Sequence, residues 1–279
     1  MTIKSTAELS LKDIEQLLKG GKVEEVSIKD DSFAPKGKTY SIFDLYLIKL
    51  KIQEFLKDCP NLDPQNPTAE KEIFTYIYLK LAQIAKYDDF VYDLKNNRDS
   101  FYLYMGEDLI SAAAGLDGIF IHGEAVCLGF AEALRNLLAE KGISATVLTG
   151  GPKTLAEAKK LHKSGHAWNQ VYLDNKWFNC DVTFDINNIL SEKPLKYFLK
   201  SNKAFSHYKN YPLNTNQTIE PATSTLSIEE TNELVSKLSP VVTNSLLTKT
   251  EDNKKPKLIS SILTKLNFFK TRTTPKQFE

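Results

Sequence analysis

Apolar residues in the first third of the chain recur at spacings of three and four, the period of an amphipathic helix. Residues 11–18 show it, and a longer run opens after Ser41, a good N-cap residue, and extends towards Cys59 and Pro60. The polar, proline-containing stretch "CPNLDPQNPTAEKE" interrupts the pattern before a third helix through "IFTYIYLKLAQIAKY", with Pro67 suited to its first turn. After a polar loop at 96–100, "DLISAAAGLDG" predicts a short helix of small residues. The next helix is strongly patterned: counting back from a stop at Lys141 and Gly142, residues Leu138, Leu137, Leu134, Ala131, Phe130 and Cys127 fall on one face. The period then changes. "SATVLTGG" predicts a short strand and "PKTLAEAKKLHKSG" a charged helical insertion, while "HAWNQVYL" and "KWFNCDVTF" alternate as strands. Only "DN" separates those two, and both residues tolerate the positive φ of a type I′ hairpin turn. From about Pro212 the composition shifts to Asn, Thr, Ser and Pro, a linker signature, followed by a short helix in "SIEETNELVSKLS" and a basic tail from Lys254. The expected organisation is a helical region at 1–100, a mixed core at 101–211, a linker at 212–227, and a helical, basic and partly disordered tail at 228–279.

Length and composition narrow the class. A chain of 279 residues with 42% hydrophobic and 10% aromatic content can bury a substantial core. Its 36 basic against 35 acidic residues leave a formal charge of +1, so nothing global draws it to nucleic acid. The N-terminus shows no apolar signal region, and no apolar run approaches the roughly 18 to 20 residues that span a bilayer. The expected location is the cytoplasm, with export by a route that uses no cleaved signal left open. Three cysteines, Cys59, Cys127 and Cys180, are too few for a disulfide framework and odd in number, so at least one is a free thiol. In the tail, Leu258, Ile259, Ile262, Leu263, Leu266 and Phe269 form a stripe flanked by lysines. Such a segment packs on its own protein or stays disordered more often than it lies on an anionic membrane or in a partner's groove.

The candidate chemistry comes from three separated residues. Cys127 lies in the first turn of its helix, where orphan backbone N–H groups and the positive end of the dipole favour a thiolate. Taken alone, a cysteine on an apolar helix face is more often a small buried hydrophobe. The hairpin changes the balance. A turn at Asp174 and Asn175 pairs Leu173 with Lys176, sets Trp168 opposite Asp181, and makes His166 and Asp181 diagonal neighbours on one face. Diagonal Cβ atoms lie within roughly 7 Å, close enough for a carboxylate to reach an imidazole N–H. Thiol, imidazole and carboxylate are the parts of a cysteine-nucleophile site, with Cys127 attacking, His166 moving the proton and Asp181 fixing the ring. Cys180 faces the other side and is expected in the core. Trp168, on the catalytic face, is expected either as a wall of the substrate channel or as core.

The runs "GEAVCLGFAEAL" and "GHAWNQVYLDNKWFNCDVTFD", with Cys, His and Asp in that order, resemble the transglutaminase-like superfamily over about residues 111–207. The run "YFLKSNKAFSHY" is similar to the ending of bacterial members. The resemblance implies an α+β fold, papain-like in the broad sense, with a nucleophile helix on an antiparallel sheet and Cys127, His166 and Asp181 as its triad. It implies acyl transfer from an amide of a protein or peptide through a thioester, with hydrolysis favoured over cross-linking to an amine. No cofactor and no metal are expected, and calcium activation is not implied. Phe130 stands where many relatives carry Tyr. The competing expectation is a catalytically silent scaffold that binds proteins, since a fold does not dictate an activity.

Overall fold

The computed structural model describes residues 1–21, 23–28, 38–96, 111–151, 165–211, 213 and 217–247. The expected helical insertion at 152–164 and the basic tail lie outside these residues, as does the polar loop at 97–100. The N-terminal part opens with β1 (Thr2–Ile3), α1 (Leu11–Gly20), β2 (Glu25–Ile28) and β3 (Lys38–Ser41). The strands form a small sheet in the order β1-β2-β3, parallel then antiparallel. Sequence reading expected helices alone here, because strands of two to four residues are too short to show a period of two. Ser41 caps α2 (Ile42–Leu56) as expected, its hydroxyl accepting from the Asp44 N–H at 3.0 Å.

Helix α3 (Ala69–Ile84) is buried along most of its length, with Phe74 and Tyr78 packed on Phe198 at ring separations of 5.3 and 5.2 Å. The strand β4 (Lys86–Tyr87) precedes α4 (Asp89–Asn96) and pairs in parallel with β5 (Glu124–Ala125), which leads into α5 (Cys127–Glu140). Helix α5 carries the predicted stripe, and Leu134, Leu137 and Leu138 are fully buried. Against it lies an antiparallel sheet in the order β6-β7-β8, formed by β6 (Ala145–Gly150), β7 (His166–Leu173) and β8 (Lys176–Cys180). The hairpin register is the expected one, with Leu173 opposite Lys176, and Asp174 and Asn175 take φ of 49° and 61°. The second strand ends at Cys180, four residues before the expected end. Asp181 is instead the N-cap of α6 (Val182–Leu190), and its side chain accepts from the Phe184 N–H at 3.1 Å. The architecture is α+β.

The polar stretch expected as a linker is laid against the sheet. Gln217 accepts from the Thr149 N–H at 3.0 Å, the Glu220 N–H donates to Gln170 at 2.9 Å, and Leu226 is bonded through its backbone to Leu199. The Gln217 side chain and the Glu220 backbone thus meet polar groups of the sheet, in a stretch whose composition otherwise signals solvent. Beyond the one-turn α7 (His207–Asn210) comes α8 (Ile228–Leu247). Residues 1–242 form one unit, and the described residues 243–247 belong to a second. Among the described residues no helix is long and apolar enough to cross a membrane.

Gly129 shows how tightly α5 is seated. A Cβ there would fall well inside contact distance of the Ala113 carbonyl oxygen and 2.9 Å from the Ala125 Cβ. The obstacle is partly backbone and cannot swing aside. Gly129→Ala is therefore expected to destabilise the protein by about 1 to 3 kcal/mol through overpacking, read as a lowered thermal midpoint. A midpoint equal to that of the unsubstituted protein would show that the 113–125 segment gives way.

Candidate active site

The N-cap of α5, Val126, has an apolar side chain and makes no side-chain cap. An uncapped helix start presents first-turn N–H groups and partial positive charge to whatever lies beside it. Cys127 is the first residue of that helix, and its side chain packs with Ala131, Val147 and Ala167 and against Tyr87. It is 8% exposed. The Cys127 thiol is hydrogen-bonded to the His166 ring. His166 opens β7, so the strand holds it beside the start of α5, while Asn169 further along donates to the Ala131 carbonyl at 3.0 Å and ties helix to sheet.

On its far side the His166 Nε2 meets the Asp181 Oδ2 at 2.5 Å. Nδ1 is then the ring nitrogen left for the sulfur. Burial opposes the imidazolium more than any other single influence. The Asp181 charge and hydrogen bond, helped by Cys127, outweigh it and raise the His166 pKa to about 10. For Asp181, 1% exposed, burial pushes the carboxyl pKa up. The imidazoles of His166 and His207 overcome that and lower it to about 2. At neutral pH the ring carries a proton and the carboxylate does not, which is the charge state that stabilises a neighbouring thiolate. The other two thiols lack such surroundings: burial pushes Cys59 up to about 12 and Cys180, fully buried as expected, well above its ordinary value.

The structure brings Cys127, His166 and Asp181 together and treats Trp168 differently. Trp168 is 1% exposed, packed with Leu148 and Phe205 behind His166, with the two rings stacked at 6.1 Å. It therefore presents no surface to a substrate and supports the imidazole from within, because the Trp168 face of the sheet is covered by residues 197–213, whose packing was not legible. The more accessible rings are Phe184, 38% exposed and stacked on His166 at 4.4 Å, and Tyr211, 5.0 Å from the same ring. Sequence reading placed Phe184 at the end of a strand and attached no role to Tyr211.

It also attached no role to His207, whose Nε2 lies 2.6 Å from the same Asp181 oxygen that bonds His166. Nothing in its spacing marks it, since it reaches the site through a loop. The donor atoms of His166, Asp181 and His207 lie within 4.8 Å of one another, the kind of grouping a metal could use. Each of those atoms is already engaged in the two hydrogen bonds that join them, so the cluster is accounted for as a hydrogen-bonded set.

Residues 64–182 match the family model of the transglutaminase-like superfamily, a span that runs from before α3 through the helix of Cys127 and the strand of His166 to just past Asp181. This part of the chain is similar to the transglutaminase-like superfamily. Two solved structures are similar to the chain. One, a putative cysteine protease from Cytophaga hutchinsonii, is 20% identical over 49% of this chain and 36% of its own, with a TM-score of 0.30. The other, a TGase, is 16% identical over 86% of this chain and 66% of its own, with a TM-score of 0.33. The chain thus spans less than two thirds of either. No curated protein matches it. Within the matched span lie the thiol, imidazole and carboxylate that a cysteine-nucleophile site needs. The match ends at residue 182, so Phe184, His207 and Tyr211 are supplied by the stretch that follows it.

Proposed function

We propose that the protein cleaves or deamidates an amide of a protein or peptide through a Cys127 thioester, with water as the favoured acceptor. The observation that carries this reading is that one buried imidazole, His166, is engaged by a thiol on one side and a carboxylate on the other. The thiolate adds to the amide carbonyl, and the oxyanion that forms lies where the N–H groups of the uncapped α5 start can receive it. Collapse breaks the C–N bond. The His166 imidazolium, protonated up to about pH 10, gives its proton to the departing nitrogen and becomes neutral. It can then take a proton from water as the water oxygen attacks the thioester, releasing the acid and regenerating the thiolate–imidazolium pair. Asp181 holds the ring's orientation through both halves.

Water is favoured because Cys127 and His166 are 8% and 7% exposed, an opening that suits a small acceptor better than a second protein's side chain. The test is intact mass of candidate peptides incubated with the protein and with Cys127→Ala, with and without a primary amine. Cleavage, or a gain of about 1 Da at a glutamine, supports hydrolysis; amine incorporation with a loss of about 17 Da points to transfer instead. No Cys127-dependent change in any peptide would favour the silent scaffold.

A further inference from the structure

We propose that His207 is a positioning residue whose Nε2–H clamps Asp181 so that the carboxylate stays aimed at His166. The proposal rests on the reading of Cys127, His166 and Asp181 as the reacting set. Asp181 has two oxygens to control. Oδ1 accepts from the Phe184 N–H at 3.1 Å, and Oδ2 accepts from His166 at 2.5 Å and from His207 at 2.6 Å. A carboxylate tied at both oxygens cannot rotate its lone pairs away from the ring it orients.

The delivery of His207 is specific. The Asn179 and Lys200 backbones exchange hydrogen bonds at 2.8 Å, the Asp181 N–H donates to the Tyr197 carbonyl, and the N–H groups of Lys196 and Tyr197 both donate to the buried Asp185 at 2.9 Å. The stretch after α6 is thereby stitched to the end of β8, and His207 enters from it.

The surroundings also fix its place. His207 is 0% exposed, and the rings of Phe205, Phe184, Tyr197 and Trp168 lie 4.4 to 5.4 Å away. Its Nδ1 has no hydrogen-bond partner. Asp181 Oδ2 accepts from two imidazoles, those of His166 and His207. The His207 hydrogen bond adds to the influences that lower the Asp181 pKa against burial. Other titratable groups facing the cluster are Cys127 and the hydroxyls of Tyr87, Tyr197 and Tyr211; burial first of all pushes Tyr87 and Tyr211 above the ordinary tyrosine value.

The test uses the full chain, with His207→Phe, which fills the aromatic box without a donor, and His207→Gln, which keeps an N–H. The rate of Cys127 alkylation by iodoacetamide is followed against pH. In His207→Phe the rate at neutral pH is expected to fall on the order of tenfold or more, as when an outer hydrogen-bond partner is lost, with the acid-side midpoint moving up towards that of an ordinary thiol. His207→Gln is expected to recover much of both. A His207→Phe profile superimposable on that of the unsubstituted protein overturns the proposal. If the unsubstituted protein's Cys127 labels no faster than a denatured chain's, it is the acyl-transfer reading that fails. Nitrogen NMR of the unsubstituted protein tests the clamp without any variant: His207 is expected to hold a hydrogen-bonded proton on Nε2 across neutral pH, and an Nε2 without a proton overturns the proposal.

Discussion

In an Asp181→Ala variant, His166 is expected to titrate below its ordinary value near 6.5, where the intact protein holds it at about 10. The reversal follows from which influences remain. Burial is the largest single effect on the ring and acts against the cation; only the carboxylate and the thiol oppose it. With the carboxylate gone the ring is neutral at physiological pH, the thiolate loses its counter-ion, and acyl transfer is expected to fall on the order of 10³ to 10⁴, the scale of losing a general acid–base. Stability falls too. The variant gives up the α6 N-cap, worth about 1 kcal/mol, and leaves the buried His207 donor unmatched at a cost of about 1 to 3 kcal/mol. The pH dependence carries a sign. The raised His166 contributes stability that is complete below its unfolded value and is lost as pH rises through about 10; the lowered Asp181 contributes stability present above its unfolded value and lost as pH falls through about 2. Asp181→Ala should flatten both limbs of a stability curve. Proton NMR of the His166 ring measures the first effect directly, and a ring still titrating near 10 would mean that Asp181 is not its counter-ion.

Cys127→Ala is expected to abolish thioester formation altogether, with turnover down by a factor on the order of 10⁶, while leaving the fold nearly intact. The side chain is small and already among apolar neighbours, so removing the sulfur costs about 1 kcal/mol or less. The contrast with Asp181→Ala is the informative part. Cys127 is a lesser contributor to the His166 cation than Asp181, so in Cys127→Ala the ring is expected to titrate at a higher pH than in Asp181→Ala. The two variants are thus both inactive but differ in the charge they leave on the imidazole. Acyl-enzyme trapping with intact mass, run beside the NMR titration, separates them; a trapped acyl adduct on Cys127→Ala would locate the nucleophile elsewhere.

Much of this site was legible because its geometry is set by short-range rules. Two positive-φ residues at Asp174 and Asn175 fix the hairpin register, and the register fixes which residues neighbour His166. The helix of Cys127 announces itself through a stripe and a stop. What stayed hidden depends on long-range contact. Asp181 leaves the strand because its carboxylate caps the next helix, a competition that alternation cannot reveal. Trp168 is covered by rings from 197–213, and Gln217 and Glu220 satisfy the sheet from a stretch whose composition signals solvent. His207 reaches Asp181 across a loop anchored on Asp185, so no spacing could have paired them.

The match to the family model ends at residue 182. Asp181 lies inside the matched span and His207, which grips it, outside. Recombination or excision at that border would carry off a recognisable domain with its carboxylate unguarded. The segment at 193–211 is bonded to the end of β8 and to Asp185, so a shortened chain that stops at the matched span would lose one of the two imidazoles on Asp181.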